Sequence, residues 1–250
     1  MKCPASRRAL ERIVIRLRVS RAALAFLLLA TSCASTAPPD PVIVYLLDTS
    51  SSLADADIRA NCLLAFEKVL TYARKERGTI TVETIAPNPL VGNDPPLHLD
   101  FANNPFGPQD ETGNYLSTEA LIAFDELPAG NGRTSILDGF ELADRTLSAA
   151  PRGAPRHLVI CSDLLNTSPR LNVVRMPLSD LDVERELSTL SARGLIPSWD
   201  EVSVYVVGAG LSRAPVSSSR VMKIQHFFER FFEKANASLV SYRSTLPVFP

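Results

Sequence analysis

The stretch that decides the fold is Val42-Ile-Val-Tyr-Leu-Leu-Asp48-Thr-Ser-Ser-Ser52. Six consecutive apolar residues suit a strand buried on both faces, as in a parallel sheet. A carboxylate and a run of hydroxyls follow at once, before the next apolar pattern begins. That pattern spans residues 54–77, where Ile58, Cys62, Leu63, Phe66, Val69, Leu70 and Ala73 recur at helical spacing. Asp55 and Asp57 fall in its first turn, where acids suit the helix dipole. Gly78 is expected to end the helix, and the β-branched, alternating residues 79–85 to form a second strand.

Further along, the same alternation repeats. Residues 117–126 read as a helix with a Ser or Thr cap, and 135–149 as another. Residues 157–162 read as a buried strand, 178–193 as an amphipathic helix, and 202–207 as a strand. Residues 218–236 form a helical pattern rich in Phe, and 239–242 a last strand. Residues 86–115 are irregular and rich in Pro and Asn, with 97–101 as a short edge strand; a connection this long suits a functional or covering loop. The expectation is an α/β fold: one doubly wound domain over 42–245, with a mostly parallel central sheet flanked by helices.

Composition narrows the function classes. With 250 residues, 46% hydrophobic and 21% charged, the chain can bury a large core and is neither disordered nor a multi-span membrane protein. A net charge of −1 gives no global support to nucleic-acid binding. Val207-Gly-Ala-Gly210 lacks the third glycine of a dinucleotide loop, so no nucleotide is expected. Four cysteines without a CxxC pair argue against a zinc ribbon or a disulfide framework. Cys62 and Cys161 fall on apolar faces and are expected to be buried free thiols, with a disulfide between them as the alternative in an oxidising compartment.

The charge is unevenly spread. Residues 1–32 carry seven basic residues against Glu11 alone, which leaves 19 basic and 26 acidic residues, a net −7, for the rest. The basic stretch precedes the apolar run Ala22-Ala-Leu-Ala-Phe-Leu-Leu-Leu-Ala30, about half the ~20 residues of a spanning helix. Residues 1–32 are therefore expected to be a signal peptide, with 33–41 a short Pro-rich tether. Leu29-Ala-Thr-Ser-Cys33 resembles the lipobox of bacterial lipoproteins. The resemblance implies lipidation of Cys33 and anchoring in the bacterial cell envelope. Ala34 lacks the Asp of an inner-membrane retention signal, which leans toward an outer membrane facing the periplasm.

In open α/β sheets, ligands bind beyond the carboxyl ends of the strands. Asp48, Ser50 and Ser52 follow the first strand, Thr134 precedes a helix, and Asp163 follows the 157–162 strand. All are hard oxygen donors, which suit Mg²⁺ or Mn²⁺. For the first loop alone, a helix N-cap cluster is the bland alternative. The pattern Asp48-x-Ser50-x-Ser52, then Thr134, then Asp163 resembles the von Willebrand factor A (VWA) domain and its metal-ion-dependent adhesion site (MIDAS). The resemblance covers about residues 41–243. It implies a Mg²⁺ (or Mn²⁺) held by Asp48, Ser50, Ser52, Thr134 and Asp163, directly or through water. It also implies a partner protein, of unknown identity, offering a carboxylate to the metal.

Two departures stand out. Leu164 occupies the place after the last Asp where the family often has Gly, and Arg133 replaces the second Gly of Gly-Gly-Thr. Arg133 is a candidate partner contact near the metal, with a solvent-facing position as its alternative. No enzymatic activity is expected. Two alternatives to a metal-dependent module remain: a metal-independent VWA-like interaction domain, and an Asp-based phosphatase-like hydrolase. The second lacks the expected Asp at position 50, where Ser50 stands, and a suitably placed Lys.

Overall fold

The structure, a computed structural model, describes residues 39–49, 55–85, 97–103, 111–126, 135–211 and 216–250. The chain divides into two units at Pro38/Pro39, and all described residues lie in the second. Strand β1 (Val42–Asp48) is the apolar stretch quoted above. Helix α1 (Ala56–Glu76) returns the chain to β2 (Thr79–Ile85), parallel to β1 in the register Val42 opposite Thr79. Edge strand β3 (Leu97–Asp100) pairs antiparallel with β2. Helices α2 (Glu111–Asp125) and α3 (Ile136–Ser148) then lead to β4 (Arg156–Cys161) on the other side of β1.

A two-stranded hairpin follows, β5 (Thr167–Ser168) with β6 (Leu171–Asn172). Helix α4 (Asp180–Ala192), β7 (Val202–Val207), α5 (Ser218–Lys234) and β8 (Ser238–Arg243) complete the described elements. The main sheet runs β3-β2-β1-β4-β7-β8, parallel except at β3. This is the expected α/β class, a mostly parallel central sheet with helices on both faces.

The pleat of β1 explains the two layers. Ile43, Tyr45 and Leu47 face one side, packed with Ile58, Cys62, Phe66 and Val69 of α1 and Phe124 of α2. Val44 and Leu46 face the other, under Ile136 and Phe140 of α3, Val183 and Leu187 of α4, and the α5 phenylalanines. Alternate side chains of a strand point to opposite faces, so a strand apolar at every position must be covered on both. Phe227, Phe228, Phe231 and Phe232 are all fully buried, beside Phe140 and Trp199. The wide apolar arc of α5 is therefore core. Gly139 lets α3 lie close on the sheet: a Cβ there would come within 2.8 Å of Ile85 Cγ1.

Three expectations need correction. The helix expected over 117–126 begins at Glu111, so Ser117 lies within it and the irregular segment is shorter. Helix α1 closes on Arg77, which adopts the left-handed conformation at φ 60°, while the Gly78 amide returns to Ala73 O at 2.7 Å. Cys62 and Cys161 are not free thiols: they form a disulfide, with Cα atoms 5.7 Å apart. The sequence could not show it, because the bond depends on α1 crossing β4, two elements 99 residues apart.

Candidate metal centre

The strand order reverses between β1 and β4: β1 leads to β2 on one side, and the chain later returns to β4 on the other. Such a switch point opens a crevice at the carboxyl ends of the two strands. Asp48 ends β1, and Asp163 lies two residues beyond β4. In the β1–β4 ladder Leu47 pairs with Cys161, so Asp48 stands one step on, level with Ser162. Two of the five expected ligands are thus brought to one crevice. Ser50, Ser52 and Thr134 lie outside the described residues, as do Arg133 and Cys33. Among the described residues no group of three or more His, Cys, Asp or Glu gathers in a metal-binding cluster. The expected set needs only two carboxylates and takes its other oxygens from hydroxyls.

Both carboxylates are nearly buried, Asp48 at 1% exposure and Asp163 at 7%. Ser162 Oγ donates to Asp48 Oδ2 at 2.7 Å and accepts from the Leu164 amide at 2.9 Å. Asp163 Oδ1 accepts from the Leu165 amide at 2.9 Å, closing an Asx-type turn. Asp48 is thus oriented from the β4 side, by Ser162, and Asp163 by the turn that follows it. Asp55, not Asp48, caps α1, accepting from the Asp57 amide at 2.9 Å. The helix-cap alternative for Asp48 therefore does not hold.

Neighbouring strands frame the crevice. The Ser162 amide donates to Val207 O at 3.0 Å, joining the end of β7 to the Asp163 loop. Gly208 follows with φ +92°, and a Cβ there would lie 3.3 Å from Ser162 O. Burial pushes the Tyr242 hydroxyl on β8 well above its usual pKa, and the negative charges of Asp163 and then Glu229 add to it.

Leu164 sits in the left-handed region at φ 57°, with its side chain wholly buried. This is the position where the resemblance led one to expect Gly, and the backbone adopts the conformation that glycine favours. Leu164 therefore keeps the turn and accepts strain for an apolar contact with the α3–α5 layer.

Sequence reasoning missed Ser162, although it directly precedes Asp163. It also missed Asn166, fully buried three residues further on. A small polar residue at the carboxyl end of a buried strand was the available signal for the first.

No family model matches the chain, and no curated protein matches it. In fold it is similar to solved structures. The SpRpn10 VWA domain is 14% identical, with a TM-score of 0.43 over 84% of this chain and 92% of that one. The pilus adhesin SpaC from Lactobacillus rhamnosus GG is 11% identical, with a TM-score of 0.48; the match covers 83% of this chain and 28% of the adhesin. The manganese-loaded Plasmodium vivax TRAP protein is 12% identical, with a TM-score of 0.38 over 77% of this chain and 74% of that one. The strand order and register, rather than these likenesses, carry the architecture described above.

Proposed function

We propose that this chain is an exported, lipid-anchored, VWA-like protein-binding module that is not an enzyme. It would hold Mg²⁺ or Mn²⁺ through Asp48, Ser50, Ser52, Thr134 and Asp163. The observation that carries the reading is the placement of Asp48 and Asp163 at the carboxyl ends of the adjacent strands β1 and β4, each held by hydrogen bonds. The donor chemistry fits a hard dication: oxygen ligands only, two of them carboxylates. When bound, such an ion would supply a Lewis-acidic position for a partner's carboxylate. Asp48 and Asp163 together balance a dication's charge, and their burial keeps that balance unscreened.

The Cys62–Cys161 disulfide supports export, since such bonds persist in oxidising compartments. No helix among the described residues is long and apolar enough to cross a membrane. Anchoring would rest on lipid at Cys33, placing the module in the cell envelope, facing the periplasm if the membrane is an outer one.

Calorimetric titration of the purified chain with Mg²⁺ and Mn²⁺, beside Asp48→Ala, tests the reading. Saturable binding that the variant loses is the expected result, with partner capture from envelope extract abolished by EDTA. A flat wild-type isotherm together with EDTA-insensitive capture would replace it with the metal-independent interaction domain.

A further inference from the structure

Helix α3 begins two residues after Thr134, and its N-cap residue, Ser135, makes no side-chain capping bond. Ser135 Oγ instead donates to Asp138 Oδ2. The first helical amide, that of Ile136, is bound from elsewhere in the chain: it donates to Asn166 Oδ1 at 3.1 Å. Asn166 lies three residues after Asp163 and is fully buried. Its Nδ2 donates to Leu171 O at 2.6 Å and to Ser168 Oγ at 3.3 Å, inside the β5–β6 turn. The opposite amide orientation would set donor against donor at Ile136 and acceptor against acceptor at Leu171. One side chain therefore closes two segments at once. A second link runs in parallel: the Arg170 guanidinium pairs with Asp138, which Ser135 also holds, and lies 3.7 Å from Glu141 Oε2.

The loop after β4 and the start of α3 are thus joined by a buried bond and a partly buried ion pair. These segments carry Asp163 and follow Thr134, respectively. A buried amide left without its partner costs about 1–3 kcal/mol, so the Asn166–Ile136 bond is not idle. Outer partners of metal ligands commonly change affinity about 10–100-fold when removed. We infer that Asn166 is a positioning residue for the proposed metal centre, hitching the Asp163 loop to the N-terminus of α3 through the Ile136 amide. The inference rests on the metal reading above. It adds that the Leu171 carbonyl in the β5–β6 turn fixes which way the Asn166 amide points.

The test uses the full chain. Mn²⁺ affinity is measured by calorimetry for wild type, Asn166→Ala and Ser168→Ala. Water-proton relaxation of the bound Mn²⁺ is recorded alongside. Ser168→Ala removes the weaker of the two Asn166 Nδ2 contacts but keeps the bonds to Leu171 O and the Ile136 amide, so it separates the Ile136 bond from loosening of the hairpin. Asn166→Ala should weaken Mn²⁺ at least about ten-fold and change the relaxation enhancement, while Ser168→Ala stays within about two-fold. If Asn166→Ala does not fold, amide exchange in the wild-type chain decides: Mn²⁺ should slow exchange at Ile136, and an unchanged rate overturns the inference. Wild-type affinity retained in folded Asn166→Ala, or an equal loss in Ser168→Ala, also overturns it while leaving the metal reading in place. A flat wild-type isotherm removes both together.

Discussion

Ser162 Oγ donates to Asp48 Oδ2 at 2.7 Å, from the end of β4 to the end of β1. The same oxygen accepts from the Leu164 amide, so one hydroxyl serves both the first carboxylate and the turn that follows the second. Bonds to a charged group contribute about 1.5–3 kcal/mol. Ser162→Ala should therefore lower unfolding free energy by roughly that amount, read as a drop in urea midpoint at unchanged slope. A midpoint within error of wild type would mean that other partners of Asp48 suffice.

At Leu164 two costs oppose each other. Its left-handed backbone costs about 1–2 kcal/mol relative to glycine, whereas truncating a buried Leu to Ala costs about 2–5 kcal/mol. Burial is the larger effect, so both Leu164→Gly and Leu164→Ala should destabilise. Gly, although smaller, should destabilise less than Ala, because it alone relieves the φ 57° conformation. The reverse order in denaturant unfolding would show that the turn relaxes.

The Cys62–Cys161 disulfide closes a loop with a sequence separation of 99 residues, between two buried side chains. Loss of such a link costs about 2–5 kcal/mol. Peptide mapping of the unreduced chain should find the two cysteines joined. The double variant Cys62→Ala/Cys161→Ala should unfold at clearly lower urea. Unlinked peptides from protein purified from the cell envelope would contradict both the bond and the export reading it supports.

His157 sits at the opposite end of β4, among Tyr72 of α1, Tyr205 of β7 and Phe249 of the C-terminal segment. Its Nε2 lies 3.3 Å from the Tyr72 hydroxyl, and its buried Nδ1 has no hydrogen-bond partner among the described residues. Burial lowers its pKa from 6.5 to about 4. The unfolded chain therefore takes up a proton before the folded one does. Stability is full above about pH 6.5 and falls as pH drops toward 4, by up to about 3 kcal/mol. Chemical denaturation across pH 4–7 should show this slope, and His157→Gln should flatten it. An unchanged slope in the variant would assign the acid sensitivity to other groups.

Much of the architecture was legible because local rules agree with it. The apolar run at 42–47 demanded cover on both faces, and the spacing of Ile58, Phe66, Val69 and Ala73 demanded a helix with one buried side. The strand over 79–85 and that over 202–207 appear with the expected bounds, since β-branched runs between turns leave little choice. The start of α2 was missed because Pro, Gly and Asn around residues 105–114 mask a helix that begins at Glu111.

By itself, then, the sequence determined the alternation of strands and helices, the twofold-covered central strand, and the placing of Asp48 and Asp163 at strand ends. Periodicity and side-chain chemistry are local properties, and they are written in the order of residues. Tertiary structure alone decided the rest: that β4 lies beside β1, that Cys62 meets Cys161, that Ser162 holds Asp48, and that Asn166 caps a helix begun thirty residues earlier. Each of these joins segments far apart in the chain. Their partners are chosen by packing across the sheet, where a donor or a thiol finds whichever group the fold brings within reach.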